Sequence, residues 1–225
     1  MRVLAVVHGP RVGPELLGDV VREGGHDLLE WDLPSRGRPA GGYDAVIVLG
    51  GDQNVGEELE YPWLHDEYEL LQGWVHDGTP LLGVCLGAQT LAHATGARVE
   101  RSPQTQIGFH QTELTEAGAL DPVLGSLPRR FAALNANEYL FEVPPDGIEL
   151  ACAGRLPQAY RVGERAWGVQ FHPEVRRDQV LGWFADDPEL PRPFEAVAAE
   201  IDAGIERWQE LGRRLCRAFL AAAER

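Results

Sequence analysis

Runs of consecutive apolar residues recur in the first half of the chain, and each ends in glycine or a polar turn. Three of them cover residues 3–7, 45–49 and 80–82. Continuous apolar runs of this length are typical of strands buried on both faces of a parallel sheet. Between them, residues 15–23 and 63–77 have apolar positions at helical spacing. The alternation predicts an α/β fold: a doubly wound, mostly parallel sheet flanked by helices.

The second half has a different pattern. Short strands separated by turns are predicted over residues 148–153, 158–162 and 166–170. This alternation predicts a small antiparallel flank on the sheet. A long C-terminal helix is predicted by an apolar stripe at three- and four-residue spacing, formed by Phe194, Val197, Ile201, Ile205, Trp208, Leu211, Leu215 and Phe219. We expect residues 1–185 to form one domain and residues 186–225 to form a helical extension packed on it. The extension would begin with a proline-rich loop over 186–193, and an exposed part of the stripe would instead be a partner surface.

The amino-acid composition argues against several classes of function. The net charge of −15 argues against a nucleic-acid or anionic-membrane binder. All twenty basic residues are arginine, and without lysine there is neither a phosphate-binding loop of the usual kind nor Schiff-base chemistry. The three cysteines are widely spaced, which indicates neither a disulfide framework nor a zinc site. We therefore expect reduced thiols, a cytoplasmic location, no cofactor, no metal and no membrane segment.

The segment from Pro80 to Gln89 carries the first candidate for chemistry. It reads as a buried strand, a sharp turn at Cys85 and then a helix, with Gly83 and Gly87 on either side of the cysteine. Glycines flank a nucleophile in this way because side chains do not fit so close to a tight strand–helix turn. The same glycines would also suit a tight connection with no chemical role.

A second segment, Trp167 to Val175, supplies possible partners for that thiol. It begins as a strand and ends at a proline, which places His172 at a strand terminus and Glu174 two residues later. A cysteine nucleophile needs a base, and the base needs a group that orients it. Cys85, His172 and Glu174 therefore form a candidate catalytic triad, although either of the last two could also be an ordinary residue at a strand end.

Together, Gly-Val-Cys-Leu-Gly-Ala-Gln (83–89) and Gln-Phe-His-Pro-Glu-Val (170–175) resemble the class I (triad-type) glutamine amidotransferases. The resemblance is closest to the glutamine-hydrolysing domain of GMP synthase and its stand-alone relatives, and it runs from Met1 to about Val175. It implies an oxyanion hole formed by the backbone N–H groups of Gly51 and Leu86. The positions that it assigns to substrate binding are Gly50, Gln89, Glu138 and Tyr139.

Several positions depart from the pattern of these relatives, and four of them bear on the site. Asp52 replaces a proline after the Gly-Gly turn, and Gln106 replaces an acid in a Glu-Ile-Gly-Trp motif. Asn135 and Asn137 replace the two histidines of a His-x-His loop that helps to hold the α-amino and α-carboxylate groups of the substrate. These substitutions affect the prediction of which substrate is bound more than they affect the prediction of the catalytic triad.

Three functions follow. The first is a glutaminase that hydrolyses L-glutamine through a Cys85 thioester and supplies ammonia to a separate synthase chain, since no synthase domain is evident. The second is a γ-glutamyl peptidase or hydrolase that uses the same triad on a larger leaving group. The third is a non-catalytic binding module, against which the intact triad argues. A homodimer is also compatible with the sequence.

Overall fold

The structure is a computed structural model that describes residues 1–185 and 190–225. Nine strands in these ranges form one sheet. The strands are β1 (Arg2–Val7), β2 (Asp27–Asp32), β3 (Ala45–Val48), β4 (Leu81–Val84), β5 (Val99–Leu114), β6 (Arg130–Phe141), β7 (Gly147–Ala153), β8 (Leu156–Val162) and β9 (Ala166–Val169). The helices are α1 (Glu15–Glu23), α2 (Leu33–Arg36), α3 (Trp63–His76), α4 (Leu86–Ala94), α5 (Glu116–Leu120), α6 (Arg177–Phe184) and α7 (Phe194–Ala223).

The sheet order is β2-β1-β3-β4-β9-β8-β7-β5-β6. The first five of these strands pair in parallel and the rest pair antiparallel. Two apolar clusters lie on opposite faces: α1, α6 and α7 contribute to one, and α2, α3 and α4 contribute to the other. The predicted α/β fold, with its doubly wound sheet, antiparallel flank and long C-terminal helix, is confirmed.

Strand β9 differs from the prediction in a way that matters for the site. It pairs antiparallel with β8, as the sequence pattern predicted, but its other neighbour is β4, with which it pairs in parallel in the register Leu81 with Ala166 and Val84 with Val169. All four residues of β9 are buried, as expected for a strand between two neighbours. The C-terminal ends of β4 and β9 therefore lie side by side in the middle of the sheet.

One further segment differs from its prediction. Asn135 to Tyr139, expected as a loop, belongs to β6 because it continues the ladder with β5, where Gln106 pairs with Asn137. Helix α2 is a single short turn whose start is capped by the Asp32 side chain. The loop expected over 186–193 falls in part on residues 186–189, which lie outside the described residues.

Helix α7 packs along the sheet. Its stripe is buried from Val197 to Phe219, and Trp208 contacts Phe131 and Phe171 of the core. The face predicted to be apolar is thus covered by the chain's own core. No helix in the described ranges is both long and apolar enough to cross a membrane.

Candidate active site

Cys85 lies in a strained turn between β4 and α4. Its φ of 50° and ψ of −107° are unusual for a residue with a side chain. A Cβ on Gly83 would lie 2.5 Å from the Gly87 carbonyl oxygen, and a Cβ on Gly87 would lie 2.2 Å from the Val48 carbonyl oxygen. Only glycine fits at either position, so the pattern predicted from the sequence has a steric cause. Strain of this kind is concentrated at functional sites.

His172 and Glu174 reach this turn because β9 ends beside β4. The Cys85 N–H donates to the Val169 carbonyl at 2.9 Å, and the chain reaches His172 three residues later. Nδ1 of His172 lies 2.7 Å from a carboxylate oxygen of Glu174, and both side chains are buried. Nε2 of His172 is buried with no partner among the described residues. A Cβ on Gly50 would lie 3.2 Å from Cε1 of His172 and 3.6 Å from Cβ of Cys85, so both side chains lie against this glycine.

The surroundings of His172 favour its protonated form. Burial of the ring lowers its pKa, but the negative charge of Glu174, the neighbouring Cys85 sulfur and the hydrogen bond to Glu174 raise the pKa well above the ordinary value. A histidine held in this way can keep a proton next to an anionic sulfur and release it to a leaving group. The orientation of the ring is fixed by Glu174.

The thiol opens into a cavity of about 740 Å³, which is within the usual range of ligand sites. Cys85, His172, Gly51 and Leu86 all line it. The backbone N–H groups of Gly51 and Leu86 have no hydrogen-bond acceptor within residues 1–185 and 190–225. Leu86 is the first residue of α4, where backbone N–H groups are free and favour negative charge. The two residues whose N–H groups the resemblance assigned to an oxyanion hole therefore line the same cavity.

Of the four residues assigned to substrate binding, three line the cavity and one does not. Gln89, Glu138 and Tyr139 line the cavity, but Nε2 of Gln89 donates to the Tyr139 carbonyl at 2.9 Å, and Glu138 forms an ion pair with Arg101 at 2.9 Å. Gly50 is not among the described residues that line the cavity, and its carbonyl accepts a hydrogen bond from His8 at 2.9 Å. Gly50 therefore has its oxygen occupied within the protein.

One polar side chain that contacts the Cys85 sulfur, that of Gln170, was not predicted from the sequence. Nε2 of Gln170 lies 3.7 Å from the Cys85 sulfur, and its Oε1 lies 3.4 Å from Nε2 of Gln89. Gln170 belongs to the motif that carries His172, so its place in the chain was known. The sequence did not indicate that its side chain points toward Cys85. Gln170 contacts Cys85 because it comes directly after β9.

A cluster of four buried carboxamides supports the cavity wall at β6. Nδ2 of Asn135 donates to Gln158 at 2.9 Å and to Asn137 at 3.2 Å, and Nδ2 of Asn137 donates to Gln106 at 3.3 Å. Three of the positions that depart from the relatives, 106, 135 and 137, therefore contact one another. The sequence alone gave no sign of this contact, since β5 and β6 pair across about thirty residues.

Helix α7 contacts the backbone of the His-Pro-Glu segment on the side away from the cavity. Trp208 Nε1 donates to the His172 carbonyl at 2.7 Å, and Gln209 Nε2 donates to the Val175 carbonyl at 3.3 Å. One turn further, a Cβ on Gly212 would lie 2.1 Å from the Pro173 carbonyl oxygen, so helix and segment are in direct backbone contact. The C-terminal helix thus holds the segment that carries the candidate base.

The described part of the chain contains no group of three or more His, Cys, Asp or Glu side chains arranged to hold a metal ion. The site combines a cysteine on a strand–helix elbow, a histidine hydrogen-bonded to a carboxylate, and two backbone N–H groups that have no acceptor among the described residues. On an α/β sheet these features define the class of proteins that transfer or hydrolyse acyl groups through a cysteine.

Comparison with known families identifies the group within that class. The model of the family described as Glutamine amidotransferase class-I matches residues 26–180. The chain belongs to this family, and the resemblance found in its two motifs is confirmed.

Individual relatives agree with this assignment. The chain is 33% identical over 166 residues to the glutamine-hydrolyzing GMP synthase of Thermosipho melanesiensis. This alignment covers 71% of the chain and 30% of that protein. It is 35% identical over 181 residues to the GMP synthase of Porphyromonas gingivalis, covering 77% and 33%. The chain therefore spans about a third of the length of these curated relatives. Among solved structures, a glutamine amidotransferase from Thermotoga maritima is 26% identical, with a TM-score of 0.85 and 97% of both chains covered.

Proposed function

We propose that this chain is a glutaminase that hydrolyses the side-chain amide of L-glutamine with Cys85 as the nucleophile, His172 as the acid and base, and Glu174 as the group that orients the histidine. One observation carries the proposal: the buried His172–Glu174 pair, 2.7 Å apart, stands beside a strained cysteine at the end of a cavity. Family membership supports the choice of a carboxamide substrate.

In the first half of the reaction, the Cys85 thiolate attacks the carboxamide carbon and forms a tetrahedral intermediate. His172, protonated on Nε2, gives that proton to the departing nitrogen, the C–N bond breaks, and ammonia leaves behind a glutamyl thioester. The raised pKa of His172 supports this role, because the ring holds its proton until the leaving group needs it.

The oxyanion of the intermediate would be stabilised by the N–H groups of Gly51 and Leu86. Both are free, and both line the cavity beside the sulfur. Loss of one such donor typically costs roughly 3–4 kcal/mol of transition-state stabilisation.

In the second half, water replaces ammonia. Neutral His172 takes a proton from the water as it attacks the thioester carbon, and collapse of the second intermediate restores the Cys85 thiolate and the protonated histidine. The product leaves as the γ-carboxylic acid, which gives its proton to the released ammonia and becomes glutamate. Atoms and charges balance over the two steps without a cofactor.

We further propose that the ammonia is used by a separate synthase chain. The curated relatives are glutamine-hydrolyzing GMP synthases, and the chain spans about a third of their length. The matched region is the glutamine amidotransferase class-I domain, and the names of these relatives support a synthase as the user of the ammonia.

A γ-glutamyl peptidase or hydrolase is the second candidate, and the size of the cavity favours it. A volume of about 740 Å³ is larger than a single amino-acid substrate requires. The same triad would act on a γ-glutamyl amide whose leaving amine extends toward the wall formed by Glu138 and Tyr139.

The deciding experiment measures glutamate release by the purified chain from L-glutamine, γ-glutamyl dipeptides and glutathione, with Cys85→Ala as the blank. A higher kcat/KM for glutamine supports the glutaminase, and a higher value for a peptide supports the hydrolase. If Cys85→Ala releases glutamate as fast as the parent chain, both candidates are wrong.

A further inference from the structure

We propose that His8 and Glu67 are positioning residues: a buried imidazolium–carboxylate pair that holds the Gly50–Gly51 peptide so that the Gly51 N–H points into the oxyanion hole. The inference rests on the proposed acyl-transfer chemistry at Cys85, and it assigns a task to two buried charged groups that the mechanism does not otherwise use.

The first step is the geometry of the His8 ring. Nδ1 lies 2.9 Å from the Gly50 carbonyl oxygen, and Nε2 lies 2.5 Å from a carboxylate oxygen of Glu67. Both side chains are almost completely buried, at 0% and 1% exposure. The other carboxylate oxygen of Glu67 accepts from the Thr90 hydroxyl at 2.6 Å, so the pair connects the end of β1 with α3 and with the helix that follows Cys85.

The second step is the protonation state that these contacts require. A carbonyl oxygen and an ionised carboxylate only accept hydrogen bonds, and a neutral imidazole has one N–H. When Glu67 is a carboxylate, two contacts to acceptors need a proton on each ring nitrogen, and His8 is then an imidazolium. Trp63 stacks on the ring, with centroids 5.1 Å apart and planes 14° apart, which suits a cation.

The electrostatic surroundings agree with this state. Burial lowers the pKa of His8, but the charge and hydrogen bond of Glu67, the hydrogen bond to Gly50 and the charge of Asp32 raise it above the ordinary value. The groups that face the ring are thus Glu67 from α3 and Asp32 from the end of β2, and both are acidic.

The third step links the pair to catalysis. The Gly50 carbonyl and the Gly51 N–H belong to one planar peptide unit, in which the C=O and N–H bonds point in opposite directions. A hydrogen bond that fixes the oxygen toward His8 therefore fixes the N–H on the opposite side. A Cβ on Gly51 would lie 2.8 Å from Cδ2 of Leu86, so this peptide lies directly against the residue that supplies the second oxyanion donor.

A positive charge behind the peptide adds a second effect. A donor on the carbonyl polarises the peptide and strengthens its N–H as a donor, and this effect is larger in a buried, low-dielectric site. Pre-organised dipoles of this kind act where charge develops in the transition state. The pair should therefore influence kcat more than KM.

The experiment compares Glu67→Gln with a matched control, Asp121→Asn. Asp121 is also a buried carboxylate, bonded to Trp167 and Arg161, and it does not line the cavity. For Glu67→Gln we expect kcat on the best substrate to fall roughly 10- to 100-fold, with little change in KM, because a neutral amide no longer holds His8 as the cation that polarises the Gly51 N–H, and that effect acts only in the transition state. Asp121→Asn should retain the kcat of the parent chain.

Alkylation of Cys85 by iodoacetamide separates positioning from general damage. That reaction displaces iodide and forms no oxyanion, so Glu67→Gln should be alkylated at a rate close to that of the parent chain. Equal losses in alkylation and turnover, or an unchanged kcat, would overturn the proposal.

Nitrogen NMR of ¹⁵N-histidine-labelled parent chain tests the charge state without any variant. We expect both ring nitrogens of His8 to be protonated at neutral pH, and a neutral tautomer there would overturn the proposal even if the variants fail to fold. If His8 is an imidazolium but the parent chain hydrolyses no glutamine or γ-glutamyl substrate, the proposed function fails instead, and the two failures are distinct.

Discussion

Gly212 in α7 offers the sharpest test of how the C-terminal helix supports the site. Replacing it with alanine puts a Cβ 2.1 Å from the Pro173 carbonyl oxygen, and Cβ atoms in proteins essentially never approach closer than 3.0 Å. The helix and the His-Pro-Glu segment must therefore separate by about 0.9 Å. Both contacting atoms belong to backbone or to the rigid first carbon of a side chain, so no rotamer change relieves the overlap.

The size of the effect follows from this displacement. A shift of about 1 Å in a catalytic group can reduce the rate about 10²-fold, so we expect kcat to fall roughly 10- to 100-fold in Gly212→Ala. The overpacking should also cost about 1–3 kcal/mol of unfolding free energy. The better helix propensity of alanine offsets up to about 1 kcal/mol of that.

Gly73→Ala is the matched control. Gly73 also lies inside a helix, α3, but a Cβ there would meet nothing within 4 Å. We expect it to keep the parent kcat and to gain up to about 1 kcal/mol of stability. Glutamate release and chemical denaturation would be measured for both variants. A Gly212→Ala chain with parent-like kcat and stability would show that α7 does not hold the His172 segment as inferred.

Three other predictions concern individual side chains. Cys85→Ala should reduce glutamate release to background while thermal unfolding stays close to that of the parent, and a chain that still turns over would rule out this nucleophile. Glu174→Gln should slow turnover by roughly 10²–10⁴-fold, less than loss of the cysteine, because the histidine loses its orientation but the thiol remains; an unchanged rate would contradict the triad. The raised pKa of His8 means that its pair with Glu67 stabilises the folded chain fully below about pH 6.5, and that this contribution is lost as pH rises through the folded-state pKa. The difference in unfolding free energy between parent and Glu67→Gln should therefore shrink as pH increases above 6.5, and a difference that grows would contradict the imidazolium assignment.

The elbow at Cys85 could be predicted from the sequence because its causes are local. The glycines on either side of the cysteine are required by approaches of 2.5 and 2.2 Å to backbone carbonyls, and such close approaches leave a direct mark in the sequence. The strands and helices of the parallel half have equally local signals, since burial on both faces produces continuous apolar runs.

Features that depend on pairing between distant segments could not be predicted. The parallel pairing of β9 with β4 joins residues more than eighty positions apart, and the alternation of short strands around it indicated an antiparallel neighbour. The contact between His8 and Glu67 spans 59 positions, and each residue alone resembles an ordinary polar side chain. Asn135 and Asn137 were expected in a loop because the resemblance places a His-x-His loop there, but both are buried within β6, where Nδ2 of Asn135 donates to Asn137.

The most direct test of the account uses a glutamine analogue in which an electrophilic ketone carbon replaces the side-chain amide. Incubation with the purified chain, followed by intact-mass and peptide mass spectrometry, should give one adduct per chain, located on Cys85, and L-glutamine should protect against it. An adduct on Cys152 or Cys216, or labelling that glutamine does not slow, would contradict the claim that this cavity binds glutamine and presents Cys85 to its side-chain carbonyl.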